Sequence, residues 1–171
     1  MKAASKSLVL AQRNIAALQE FQARIQSPGL ADFVGYLLSI HPADRLPARR
    51  DFDPLDIPAL LPGIVLTNVE YSSGQVRLFM KLVGQDVVEA SPVPVARRYL
   101  DDILTDLPDA KVIVQSRLQV VETGCAYLRQ GRPAMPFTFR MAALEYLHCP
   151  LSEDGETVNQ ILSYFSYDRC G

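Results

Sequence analysis

The chain has 171 residues, 49% of them hydrophobic and 21% charged, a balance that supplies one packed core and excludes wholesale disorder. A formal net charge of −2 gives no overall field to draw in nucleic acid or an anionic membrane, and no apolar run is long enough to span one. Three widely spaced cysteines, Cys125, Cys149 and Cys170, and the lack of a cleavable leader point to a cytoplasmic protein with free thiols.

Apolar residues at Leu8, Ala11, Ile15, Leu18 and Ile25 predict a first helix from Leu8 to Ile25, ended by Ser27-Pro28-Gly29. With Gln22 as a register device, the same stripe reads as the seam of a homodimer; the alternative is a helix folded back over its own sheet. A second helix, Leu30 to Ile40, presents Leu30, Phe33, Val34, Leu37 and Leu38 on one face and stops at Pro42. His41 at its end is expected to complement the terminal carbonyls as a cation. Four prolines between Leu46 and Pro62 exclude a long helix there and predict an ordered connector with a helical turn near Leu55 to Leu61. Arg49, Arg50, Asp51 and Asp53 read as its salt-bridged surface, with Asp53 capping the turn.

Ile64 to Tyr71 and Gln75 to Val83 are β-rich and joined by Ser72-Ser73-Gly74, a hairpin signal. Alternation puts Val76, Leu78, Met80 and Leu82 on one face, expected to border a cavity. Pro92 and Pro94 break the stretch from Asp86 to Leu107 into short helices and loops. Asp106 as N-cap, Pro108 at an early position and Gly124 as a stop bracket a helix over 108–123 whose inner face carries Ala110, Val114, Leu118 and Val121. Three more strands follow, Cys125 to Arg129, Thr138 to Pro150 and Thr157 to Tyr167, the last two joined by the turn Ser152-Glu153-Asp154-Gly155. In the middle one, Leu144, Tyr146 and His148 share a face, and Ala143, Glu145, Leu147 and Cys149 share the other. The fold class is α+β: a five-stranded antiparallel sheet with helices on one face, preceded by two N-terminal helices. A helical lead takes residues 1–45, and the sheet domain residues 46–168.

Motifs for chemistry are missing. There is no G-x-S-x-G elbow, no glycine-rich phosphate loop and no C-x-x-C or H-x-x-x-H metal spacing. No cysteine falls between Asp86 and Leu104, where a flavin adduct of this fold would need one. The R-x-x-x-R spacing of Arg45 and Arg49 lacks the companion turn of a cyclic-dinucleotide arm. Asp101-Asp102 and Glu153-Asp154-Glu156 read as solvated and turn carboxylates. The expectation is a protein that is not an enzyme and holds no metal or cofactor. A ligand site, if formed, draws on Leu78, Met80, Leu82, Tyr99, Leu118, Tyr146 and His148, an apolar lining with Tyr146 or His148 as its polar tip.

Four segments carry a family resemblance: LPARRDFDPLDIPALLPGIVL from Leu46 to Leu66, KLVG from Lys81 to Gly84, RRYLDD from Arg97 to Asp102, and CPLSEDGETVNQIL from Cys149 to Leu162. The P-x-R-x-x-x-D-P connector and the PLS-x-D-G turn resemble a bacterial family of stand-alone PAS-domain proteins, over Leu30 to Leu162. The chain departs from that pattern at Ser91 to Ala96, where a glycine-bearing turn is expected. The resemblance implies a PAS-like fold and a sensory or signalling role, often as a homodimer that reports to a partner protein. It assigns no ligand to any residue. Two rival classes are a ligand-free dimeric interaction adaptor, whose cavity is filled by its own side chains, and a small-molecule-converting α+β enzyme.

Overall fold

The computed structural model describes residues 4–169, so Cys170 lies outside the described residues. Helices α1 (Lys6–Gln22) and α2 (Pro28–Ile40) lead through a connector of three 3₁₀ turns into the hairpin β1 (Ile64–Ser72) and β2 (Gln75–Val83). Short helices α3 (Gln85–Ala90) and α4 (Leu100–Asp106) and the longer α5 (Lys111–Thr123) precede β3 (Tyr127–Gly131), β4 (Met141–Leu151) and β5 (Gln160–Arg169). The five strands form one antiparallel sheet in the order β2-β1-β5-β4-β3. None of the described helices is long and apolar enough to cross a membrane.

Helices cover both faces of this sheet, not one. On the first face α3, α4 and α5 pack over Val65, Val69, Leu78, Met80, Leu144, Tyr146, Ile161 and Phe165. On the second, α1, α2 and the connector pack over Leu66, Leu147, Cys149, Leu151 and Leu162. Every residue of β4 from Leu144 to Leu151 is therefore buried, which explains a strand that reads as an apolar run. Within the stripe read as a dimer seam, Leu18 is fully buried and Ile25 packs against the same cluster, so the first helix folds back over its own sheet.

The structure corrects three expectations. β1 and β2 lose register between Leu66 and Thr67, with Leu66 opposite Leu82 but Thr67 opposite Met80. Lys81 is thus the extra residue of a bulge, and beyond it the strand's faces exchange. Leu82, placed in the cavity by simple alternation, is instead 55% exposed. On α5 the buried residues are Ser116, Arg117 and Val120, so Leu118 turns outward and is 37% exposed. Asp106 does not cap α5: it ends α4 and takes the Arg98 guanidinium at 2.8 Å, while Pro108–Ala110 form a 3₁₀ turn ahead of α5. Gly124 does end α5, in the left-handed region at φ 64° and so close to Leu10 that a Cβ would sit 2.9 Å from its Cδ2.

Polar clamps lock the helical lead to the sheet. Glu145 accepts the backbone N–H groups of Gln26 and Ser27, at 3.1 and 2.7 Å, and an amide hydrogen of Gln130. Ser27 also caps α2 by accepting from Leu30 N, and its hydroxyl meets that of Ser166 at 2.7 Å. Asn14, fully buried on α1, accepts from Ala126 N at 2.8 Å and donates to His41 Nε2 at 2.9 Å. His41 Nδ1 donates to the Pro42 carbonyl at 2.7 Å, which makes the ring neutral with Nε2 as acceptor. Burial lowers its proton affinity, so His41 is not the cation expected at that helix end.

The connector is salt-bridged as expected. Arg45 grips Asp51 through two bonds of 2.7 and 3.1 Å, and Asp51 also accepts from Ala48 N. Arg50 pairs with Glu153 at 3.0 Å and Asp53 caps its turn through Leu55 N. Ser152 N donates to the Pro47 carbonyl, so connector and late turn are in contact. Asp154 accepts from Ser152 Oγ, Glu156 N and Thr157 N, and these bonds hold its carboxyl well below the usual range.

Asn14→Ala strands the Ala126 N–H and the donor-seeking nitrogen of His41 in the interior. Urea unfolding is expected to show a loss of about 2–4 kcal/mol. A loss below about 1 kcal/mol would contradict its role in fastening α1.

Candidate functional site

Between the first face of the sheet and α3–α5 lies a cavity of about 60 Å³. That is room for a few water-sized groups. Met80, Leu144, Tyr146, Phe165 and Tyr167 form its floor, and Val87, Leu100, Ile103 and Leu107 its helical wall. The non-helical stretch before β4 closes it with Met135 and Phe137, the latter set edge-on to Tyr167 at 6.0 Å. No Asp or Glu borders this space.

Arg117, on α5, also borders the cavity and is 0% exposed. It forms no ion pair among the described residues. Nε reaches Thr67 Oγ1 and Nη1 the Ile113 carbonyl, both at a long 3.4 Å, and Nη2 has no partner. The Phe165 ring lies 5.8 Å from its Cζ. Burial draws this guanidinium down to about 10, which still leaves it charged near neutrality. The Tyr146 hydroxyl is likewise buried without a partner. Ser116 stands beside it, but its hydroxyl serves the Ile113 carbonyl at 3.0 Å and His148 Nε2 at 3.2 Å. Burial raises the proton affinity of the Tyr146 and Tyr167 phenols, so both remain O–H groups. A second cation, Arg129, borders the cavity with its Cζ 6.0 Å from the Tyr146 ring.

Of the residues expected to form a site, Met80 and Tyr146 border the cavity. Leu78 and His148 are buried in the same layer without bordering it. Leu82 and Leu118 face outward for the reasons given above. Tyr99 is on the other side of the hairpin, stacked near Phe79 with Arg77 over its ring at 3.7 Å, its hydroxyl donating to Glu70 at 2.8 Å. The residues that sequence reasoning passed over are Arg117, Phe165 and Tyr167. An arginine on a helix reads as surface, and only the short apolar spacing Ile113, Arg117, Val120 hinted that it turns inward.

His148 is fixed by two serines. Ser116 donates to the Ile113 carbonyl and accepts from His148 Nε2–H, while His148 Nδ1 accepts from Ser163 Oγ at 2.6 Å. Burial, helped by the charge of Arg117, keeps this imidazole neutral. The arrangement is sealed from solvent, since Ser116, His148 and Ser163 are all buried, so it positions side chains and presents no nucleophile to a substrate. The thiol of Cys149 is buried on the opposite face and pushed up to about 12. Among the described residues no group of three or more His, Cys, Asp or Glu side chains is placed to hold a metal ion.

The chain matches no protein-family model, and no curated protein or solved structure is significantly similar to it.

Both described histidines bind protons less readily when folded, whereas in the unfolded chain they titrate near 6.5. Below about pH 6.5 the unfolded chain takes up protons that the folded one refuses, so stability falls with pH by up to about 1.4 kcal/mol per unit for each histidine. Asp51 and Asp154 act in a lower window, because their depressed carboxyls lose their stabilising contribution only below about pH 4. Urea midpoints from pH 7.5 to 5 are expected to decline, less steeply in His148→Gln. A flat wild-type profile would contradict two neutral, buried imidazoles.

Proposed function

We propose that this chain is a non-enzymatic PAS-type sensory or signalling module whose cavity binds a small ligand. Two strands, a helical block and three strands follow one another as they do in the PAS fold. The α+β architecture with one five-stranded antiparallel sheet agrees with that order. The segments that carry the resemblance also touch one another, as the connector and the Ser152 turn do. A single observation carries the ligand reading: the space between sheet and helices is lined by apolar side chains and by Arg117 and Tyr146, whose Nη2 and hydroxyl find no hydrogen-bond partner among the described residues. A side chain in the helical block that shifts on ligand entry would then alter the outer surface of α3 to α5, the route by which a partner protein senses occupancy. Self-association through α1 needs a surface other than the Leu18 stripe, which is already covered.

The adaptor reading draws on the same cavity, whose 60 Å³ is small beside typical ligand sites of about 300 Å³ or more. Ligand-observed NMR with small neutral probes, such as propanol and isopropanol, separates the two. The sensory reading expects saturable binding to the wild type that Ala110→Leu abolishes by filling the cavity, with unfolding still cooperative. Absence of binding to the wild type, or binding that survives Ala110→Leu, favours the adaptor.

A further inference from the structure

We propose that the cavity takes a small organic carboxylate, its anionic end paired with Arg117 and its apolar body lying against the helical wall. This deepens the ligand-binding reading and rests on it.

Arg117 is half of an incomplete ion pair among the described residues. A guanidinium carries five N–H donors and no acceptor, and here only two long contacts are made. A charge removed from water normally has a counterion or a full set of hydrogen bonds, because burying it alone is costly. Arg117 has neither among the described residues, and the space it borders carries no acidic side chain. Its missing partner is therefore an acceptor that arrives from outside the chain.

The surroundings narrow the chemistry. The unpartnered Tyr146 hydroxyl is a second buried donor on a residue that borders the same cavity as Arg117. Arg129 adds further positive potential from the side of β3. A planar carboxylate can take two parallel bonds from a guanidinium, a geometry that an amide cannot match in charge or in acceptor number. The wall formed by Leu100, Ile103, Leu107 and Phe165 is apolar and favours a hydrocarbon body. An amine of the same shape would meet two cations and no carboxylate among the described residues.

Calorimetric titration of the wild type with propionate, propionamide and propylamine, and with the acetate and acetamide pair, tests this directly. The expected result is acid over amide by roughly tenfold to a hundredfold, as hydrogen bonds to charged groups imply, with the amine not bound. Arg117→Met is expected to erase the acid preference while leaving amide binding in place. Acid and amide bound equally by the wild type, or a preference that survives Arg117→Met, overturns the carboxylate assignment and leaves the cavity reading standing. If no probe binds, both fail. Should Arg117→Met not fold, the wild-type ranking still decides, and Tyr146→Phe is expected to weaken the acid severalfold and the amide little.

Discussion

Strands β4 and β5 bury both of their faces, so each polar group they carry depends on a partner inside the protein. The molecule meets that demand almost everywhere. Glu145 holds the backbone that enters α2, Asn14 and His41 tie α1 to the start of β3, and His148 sits between two serines. Each bond also positions an element. The helical lead is pinned where Glu145 and Asn14 reach it, and the second face is thereby closed. The cavity lies on the first face, beneath the short helices.

Against this background Arg117 stands out by contrast. A molecule that satisfies a buried histidine twice over leaves a buried guanidinium with one nitrogen unpartnered, next to an unpartnered phenol and an acid-free cavity. Buried groups of that kind weaken the fold unless something else completes them. The backbone nearby is also under tension: Arg97 adopts φ 56° where the strand pairing of Arg97 N with the Met80 carbonyl requires a turn.

Most of the fold was legible because hydrophobic spacing and breakers agree along the chain. The hairpin at Ser72-Ser73-Gly74, the stop at Gly124 and the proline-rich connector all lie where residue types require them. The two faces of β4 were also readable, since Leu144, Tyr146 and His148 alternate with Glu145, Leu147 and Cys149. What escaped the reading was non-local. A bulge at Lys81 depends on how β1 pairs, so Leu82 could not be placed from β2 alone. Arg117 escaped for a chemical reason: its residue type signals solvent, and a buried, unpaired arginine contradicts the very rule by which inner faces are read. The candidate site was thus half visible, with Met80 and Tyr146 on its floor and its charge hidden.

Arg117 is buried without a counterion among the described residues, and the stability of Arg117→Met measures that most directly. Met matches the stem of arginine in the apolar wall and carries no charge to desolvate. Equilibrium urea unfolding of the exhaustively dialysed protein, wild type against Arg117→Met, is predicted to show no loss, or a gain of about 1–2 kcal/mol. A loss of about 3–5 kcal/mol, the cost of breaking a buried pair, would mean that the guanidinium already has its partner within the chain and would contradict the account.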